Sequence, residues 1–259
     1  NISYKNSLAV TDSLALNIDA TNLADENWGD VKKHGDVKYS KENKSLYFDG
    51  DGDYLELEKN ADFSNGFTFE IYANLERLRY DNGSSKESFG LFCKMPTIYS
   101  NFYNAMRFGY AYDNTICRFS WGSLWNGSGK NLETTSQGEI KSENLGIEIF
   151  KDFYLTFVYK RYNNNKEEEW DELADRIEYY INGILVGYTY YGIDSYNEGC
   201  AVWNIDNAPF FLGVCPWSEN GNLYYLKGNV YCTRLYERAL TQEEVTNNVT
   251  KTQLYRQMK

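Results

Sequence analysis

Leu46-Tyr47-Phe48-Asp49-Gly50-Asp51-Gly52-Asp53-Tyr54-Leu55-Glu56-Leu57 reads as two short strands reversed by a glycine-rich turn. Gly50 and Gly52 supply the positive-φ positions a tight reversal needs. Tyr47, Phe48, Tyr54, Leu55 and Leu57 have the β-favouring shapes of a half-buried sheet, so a hairpin is expected here. Similar β-like runs recur at residues 13–18, 66–73, 88–94, 105–112, 116–121, 153–159, 177–181, 185–189, 209–214 and 228–236, separated by clusters of Gly, Asn, Asp and Ser. Segments of helical period do not alternate with them, which disfavours a parallel βαβ sheet and leaves antiparallel sheets. Thr241-Gln242-Glu243-Glu244 is a capping box, and Val245 and Val249 follow it four apart on one helix face. The charged stretch 163–176 reads as an exposed loop, and no repeat of propeller or solenoid length is visible.

With 259 residues and 42% apolar content the chain closes a large core. One domain is expected over residues 1–259, with 241–259 as a C-terminal helix and tail. A net charge of −11 opposes long-range attraction to nucleic-acid phosphates or an anionic membrane surface, so neither is expected as a partner. Three prolines and no long apolar run argue against a proline-rich linker and a membrane-inserted helix. The sequence opens without a methionine or a signal peptide, which reads as a domain excised from a larger protein. Cys93, Cys117, Cys200, Cys215 and Cys232 form no C-x-x-C pair and read as buried free thiols, with Cys200 and Cys215 the best pairing if the compartment is oxidising.

Three ordered segments resemble the laminin-G-like, concanavalin A-like jelly rolls. The first is residues 46–57 followed by Phe67-Thr68-Phe69-Glu70-Ile71-Tyr72-Ala73. The second is Tyr154 to Tyr159 with Glu178 to Val186, turned at Asn182-Gly183, the strongest short-range hairpin signal. The third is Phe210-Phe211-Leu212-Gly213 followed by residues 226–241, similar to the closing strand and its entry into a C-terminal helix. The resemblance implies an all-β jelly-roll sandwich of two antiparallel sheets with a short C-terminal helix. That fold hosts glycan binding, protein adhesion and catalysis, so it does not choose among them.

The catalytic branches of that fold carry recognisable chemistry. Laminarinase-like members place paired carboxyls on one strand as Glu-x-Asp-x-x-Glu, and the nearest match here, residues 169–175, lacks the final glutamate. Lyases of this fold use a histidine; the single His34 follows two lysines in what reads as a surface loop. No enzyme activity is therefore expected, with a glycosidase or polysaccharide lyase the less favoured alternative. Asp49, Asp51 and Asp53 alternate as calcium ligands can, yet aspartates also make turns. The resemblance implies a structural calcium held through a Gly-x-x-Asp in the last strand. Gly228-Asn229-Val230-Tyr231 puts a phenol where that acid would be, and no cofactor is expected.

Aromatic residues make up 17% of the chain, more than a core of this size requires, so some rings should meet solvent. The loops richest in rings beside amides carry Trp121, Trp125 and Asn126, then Trp217, then Tyr99 and Tyr103. These are the expected ligand-binding residues of a non-catalytic, lectin-like carbohydrate-binding module of a larger secreted or surface protein. Its partner would be a glycan or cell-surface polysaccharide. The alternative is a protein-interaction, adhesion or architectural module whose rings form a flat contact patch. N-x-S/T sequons stand at Asn43, Asn82, Asn126 and Asn248.

Overall fold

The computed structural model of the chain describes residues 10–21, 31–57, 66–76, 87–94, 106–113, 116–121, 147, 150–160, 175–191, 209–216 and 223–257. Strands β1 (Leu14–Asp19), β3 (Lys38–Ser40), β4 (Ser45–Asp49), β6 (Phe67–Leu75), β10 (Asp152–Lys160), β11 (Asp175–Ile181), β12 (Ile184–Tyr191) and β16 (Lys227–Tyr236) form one sheet. Its order is β12-β11-β10-β6-β16-β4-β3, with β1 paired to the Cys232–Tyr236 half of β16. A second sheet runs β2 (Val31–His34), β5 (Tyr54–Leu57), β13 (Phe210–Leu212), β7 (Glu87–Lys94), β8 (Met106–Asp113), β9 (Ile116–Trp121). All pairings are antiparallel. The ribbon β14 (Val214–Pro216) and β15 (Leu223–Tyr225) completes the strands among the described residues.

The two sheets pack face to face. Phe67, Phe69, Ile71, Ala73 and Leu75 alternate along β6 into one core with Leu55 and Leu57 of β5 and Phe210 and Leu212 of β13. Phe69 stacks on Phe92 of the opposite sheet with centroids 4.4 Å apart, and Phe92 on Phe210 at 5.3 Å. Offset ring pairs of this kind add to the stabilisation from burial itself.

Residues 46–57 do not form a hairpin. β4 belongs to the first sheet and β5 to the second, so the glycine turn is an arch that carries the chain from one layer to the other. Leu46, Phe48, Leu55 and Leu57 all enter the same core, as the alternation requires. Alternation fixes which face of a strand is buried and leaves its pairing partner open. Gly50 (φ 83°) and Gly52 (φ 86°) take the positive-φ positions. By contrast, Asn182 (φ 51°) and Gly183 (φ 81°) make the expected two-residue hairpin between the paired Ile181 and Ile184. The run expected over 209–214 is broken at Gly213, where φ is 89° and the chain leaves β13 for the ribbon.

The C-terminal helix spans Gln242–Gln257 and opens with the expected capping box. Thr241 Oγ1 accepts the Glu244 N–H at 3.2 Å, and the Thr241 N–H donates to Glu244 Oε2 at 2.8 Å. Val245 and Val249 are buried, as are Asn248, Thr252 and Tyr255, because the helix lies on the outer face of the first sheet. Its 16 residues are the short C-terminal helix expected within 241–259. It is not long and apolar enough to cross a membrane.

Candidate functional site

The helix decides which surfaces a ligand can reach. Beneath it most outward polar positions of the first sheet form a bonded network, with the Thr156 hydroxyl buried beside it and without a partner among the described residues. Glu70 and Arg234 are fully buried, with Arg234 Nη1 3.5 Å from Glu70 Oε2. The Tyr154 hydroxyl bridges them, accepting from Arg234 Nη1 at 2.7 Å and donating to Glu70 Oε2 at 2.8 Å. Arg234 also donates to Thr252 Oγ1, and Asn248 Nδ2 donates to both Glu70 oxygens and to the Tyr236 hydroxyl. Burial pushes the Glu70 carboxyl upward against the pull of Arg234. Every group in this cluster bonds another, so it anchors the helix and offers nothing to solvent. The sequon residue Asn248 sits inside it, inaccessible to modification in the folded chain, whereas Asn43 is exposed.

With the part of that face under the helix closed, the second sheet and the segments that join its strands remain among the open surfaces, and these carry the ring-rich residues singled out in the sequence. Trp121 is the last residue of β9 and the register partner of Phe108, which pairs in turn with Phe92. Tyr99, Tyr103, Trp125, Asn126 and Trp217 lie outside the described residues, as does Cys200. The strands leading to them are described. β7 ends at Lys94 opposite Met106, where β8 begins, and β9 ends opposite Phe108. The segments holding Tyr99, Tyr103, Trp125 and Asn126 therefore attach at one end of the second sheet. Trp217 follows Pro216 of the ribbon instead. That ribbon covers Tyr54, Cys93 and Phe211 on the sheet's outer face, with Leu223 and Tyr225 packed against them. Cys93 and Cys232 are buried free thiols, as expected, and burial raises the Cys232 thiol to about 11.

His34 lies on a strand, the end of β2, and not on a loop. Its Nε2 lies 2.7 Å from Glu56 Oε2, and its ring stacks on Tyr54 at 4.2 Å and 6° between planes. Lys32 Nζ takes the other Glu56 oxygen at 3.4 Å. The sequence hides this strand because it is four residues long with three basic side chains. Two of its residues meet the outward positions of β5, Lys32 opposite Glu56 and His34 opposite Tyr54.

The arch gathers acids that the sequence places apart. Ligand oxygens of Asp36, Asp49 and Asp53 lie within 4.8 Å of one another. Asp53 Oδ1 accepts the Asp36 N–H at 2.7 Å and its Oδ2 the Asp49 N–H at 2.9 Å, while Asp49 Oδ1 accepts the Asp51 N–H at 2.7 Å. Asp36 pairs with Lys38 at 2.8 Å. Each carboxylate is thus already held by a turn amide or a lysine. Burial pushes Asp53 upward, with the neighbouring charges of Asp49 and Asp36 adding to it. These bonds match turn-forming aspartates more closely than a cation cage. Tyr231, in the place of the acid of the Gly-x-x-Asp pattern, donates its hydroxyl to Asp152 Oδ1 at 2.8 Å under the Arg256 guanidinium, 4.0 Å from the ring centre.

No protein-family model and no curated protein matches the chain. Among solved structures it is similar to domain 4 of AbnA, a GH43 extracellular arabinanase from Geobacillus stearothermophilus, in complex with arabinotriose. The identity is 17% and the TM-score 0.50, over 92% of this chain and 98% of that one. It is also similar to the binding domain of botulinum neurotoxin DC in complex with rat synaptotagmin II, at 9% identity and TM-score 0.56, over 93% of this chain and 52% of that one. A third similarity is to Trypanosoma rangeli sialidase, at 16% identity and TM-score 0.52, over 87% of this chain and 30% of that one. The chain thus spans about half of the toxin chain and under a third of the sialidase chain. At such identities the likeness shows the β-sandwich fold.

Proposed function

We propose that the chain is a non-catalytic carbohydrate-binding module of a larger secreted or surface protein. The observation that carries this reading is the division of the sandwich. Much of one outer face is covered by the helix over a hydrogen-bonded polar network, and the ring-and-amide segments attach to one end of the other sheet. Arabinotriose bound to domain 4 of the arabinanase, a chain matched over nearly its whole length, is in keeping with it. A hydrolytic role has less support: among the described residues, the acids that converge serve as turn acceptors, and Glu70 and Glu178 are buried in ion pairs. A protein partner is the second reading, favoured by the exposed Ile184 and Tyr188 on the edge strand β12. A glycan array with the purified chain separates the two. The module reading predicts selective binding in which Trp125→Ala weakens at least one signal tenfold or more; a blank array, or one in which Trp125→Ala and Trp217→Ala leave every signal intact, overturns it.

A further inference from the structure

The helix does not cover the whole outer face of the first sheet. At one end a row of register partners stays open: Asp152 on β10, Asn74 on β6, Asn229 on β16, Tyr47 on β4 and Lys38 on β3. Asp152 and Lys38 are exposed and the three between them half-buried. Four inter-strand steps of about 4.8 Å make a strip about 19 Å long. Its polar groups are already oriented. Asn74 Nδ2 donates to Asp152 Oδ1 at 2.7 Å, the Tyr231 and Tyr72 hydroxyls donate to the two Asp152 oxygens at 2.8 and 3.2 Å, and Ser45 Oγ donates to Asn229 Oδ1 at 2.8 Å. These bonds leave the Asn229 Nδ2 donor and the Asn74 Oδ1 acceptor without partners among the described residues.

Phe150 stands two residues before Asp152 and is 65% exposed. Its backbone is held at φ 61°, a conformation bulky side chains avoid, by its N–H bond to the Leu75 carbonyl at 2.7 Å. Packing does not explain a ring so exposed, and strain of this kind gathers at ligand contacts. Tyr47, its hydroxyl donating to Glu76 Oε2 at 3.1 Å, lies within the same row. An exposed ring just before β10 and a half-buried ring in the row, together with an amide donor, an amide acceptor and a fixed carboxylate, suit a ligand with apolar C–H faces and many hydroxyls. The acids Asp152 and Glu76 share the strip with Lys38, a mixed charge that suits a neutral ligand.

We propose that this strip is a second binding site, for a neutral oligosaccharide. Phe150 and Tyr47 offer ring faces, and Asn229, Asn74 and Asp152 bond hydroxyls. The ligand class rests on the module reading above; the location does not depend on the tryptophan loops. The test is an array of neutral and acidic oligosaccharides probed with the intact chain, Phe150→Gly, Asn229→Asp and Trp125→Ala. Asn229→Asp keeps the acceptor for Ser45 and removes the donor. Phe150→Gly frees the strained backbone, so its melting temperature should equal or exceed that of the parent. At least one neutral oligosaccharide should persist with Trp125→Ala and fall tenfold or more with both strip variants. Loss of every signal with Trp125→Ala and none with the strip variants leaves the module reading standing and overturns the strip. A blank array for the intact chain overturns both, and a melting temperature lowered by several degrees in Phe150→Gly shows a structural ring and overturns the strip.

Discussion

Gly52 and Gly213 share a positive φ yet face different surroundings. A Cβ on Gly52 would meet nothing within 4 Å, whereas one on Gly213 would lie 2.7 Å from the buried Phe48 ring. Gly52→Ala should cost about 1 kcal/mol through backbone strain alone. Gly213→Ala should cost about 2–4 kcal/mol, because overpacking adds to that strain. Urea melts of the two variants check the difference, and equal midpoints would show that the Phe48 ring moves freely. Arg238 supplies a pH-dependent prediction. Its guanidinium forks onto Glu244 at 2.9 and 2.6 Å, and this bond holds the Glu244 carboxyl down at about 2. A carboxylate depressed on folding adds stability above its ordinary value near 4.5 and loses it as the pH falls toward 2. Glu244→Gln keeps the capping geometry and drops the charge. It should melt about 2–4 °C below the parent at pH 7, from about 1 kcal/mol of ion pairing, and the gap should close as the pH approaches 2.

The helix and its network set the energetics at the next scale. Glu70→Ala leaves Arg234 buried without its counter-charge and should destabilise by about 3–5 kcal/mol. Glu70→Leu combined with Arg234→Met should cost clearly less than Glu70→Ala, since the desolvation of both charges disappears with them. Chemical denaturation of the three proteins checks the order, and a double variant as unstable as the single would contradict it. This network also marks what the sequence conceals. Phe67-Thr68-Phe69-Glu70-Ile71 alternates as a strand with one wet face, and nothing local tells that a helix from the far end of the chain will dry that face as well. Strands with strong alternation, such as β6, β10 and β16, were legible to within two residues at either end. β2, β3 and β15 were not, because three or four residues carry too few alternations to stand out. The arch at 50–53 passed for a hairpin because pairing is decided by distant strands, β16 on one side and β13 on the other. Of the candidate site, the sequence marked the ring-rich loops; the strip from Asp152 to Tyr47 was invisible because its members come from four strands far apart in the chain.

Across the whole molecule, the sandwich presents a helix-covered area on one face and a set of open surfaces, and stability and binding divide along that line. The acidic arch belongs to the stability side. If Asp36, Asp49 and Asp53 serve only the turn, millimolar calcium should leave the calorimetric melting temperature unchanged. A rise of several degrees would reveal a cation bound to the native state alone. Asp53→Ala, which strips two backbone amides of their acceptor, should cost about 2–4 kcal/mol whether or not calcium is added. Carbohydrate binding through the open surfaces is tested most directly by titrating the nitrogen-15-labelled chain with the strongest array ligand and following its amide shifts. The account predicts saturable shifts at residues 95–105 and 121–127 or along residues 74, 150–152 and 229, with the helix amides of 245–252 unmoved. Shifts confined to that helix, or no saturable shift with any glycan, would contradict it.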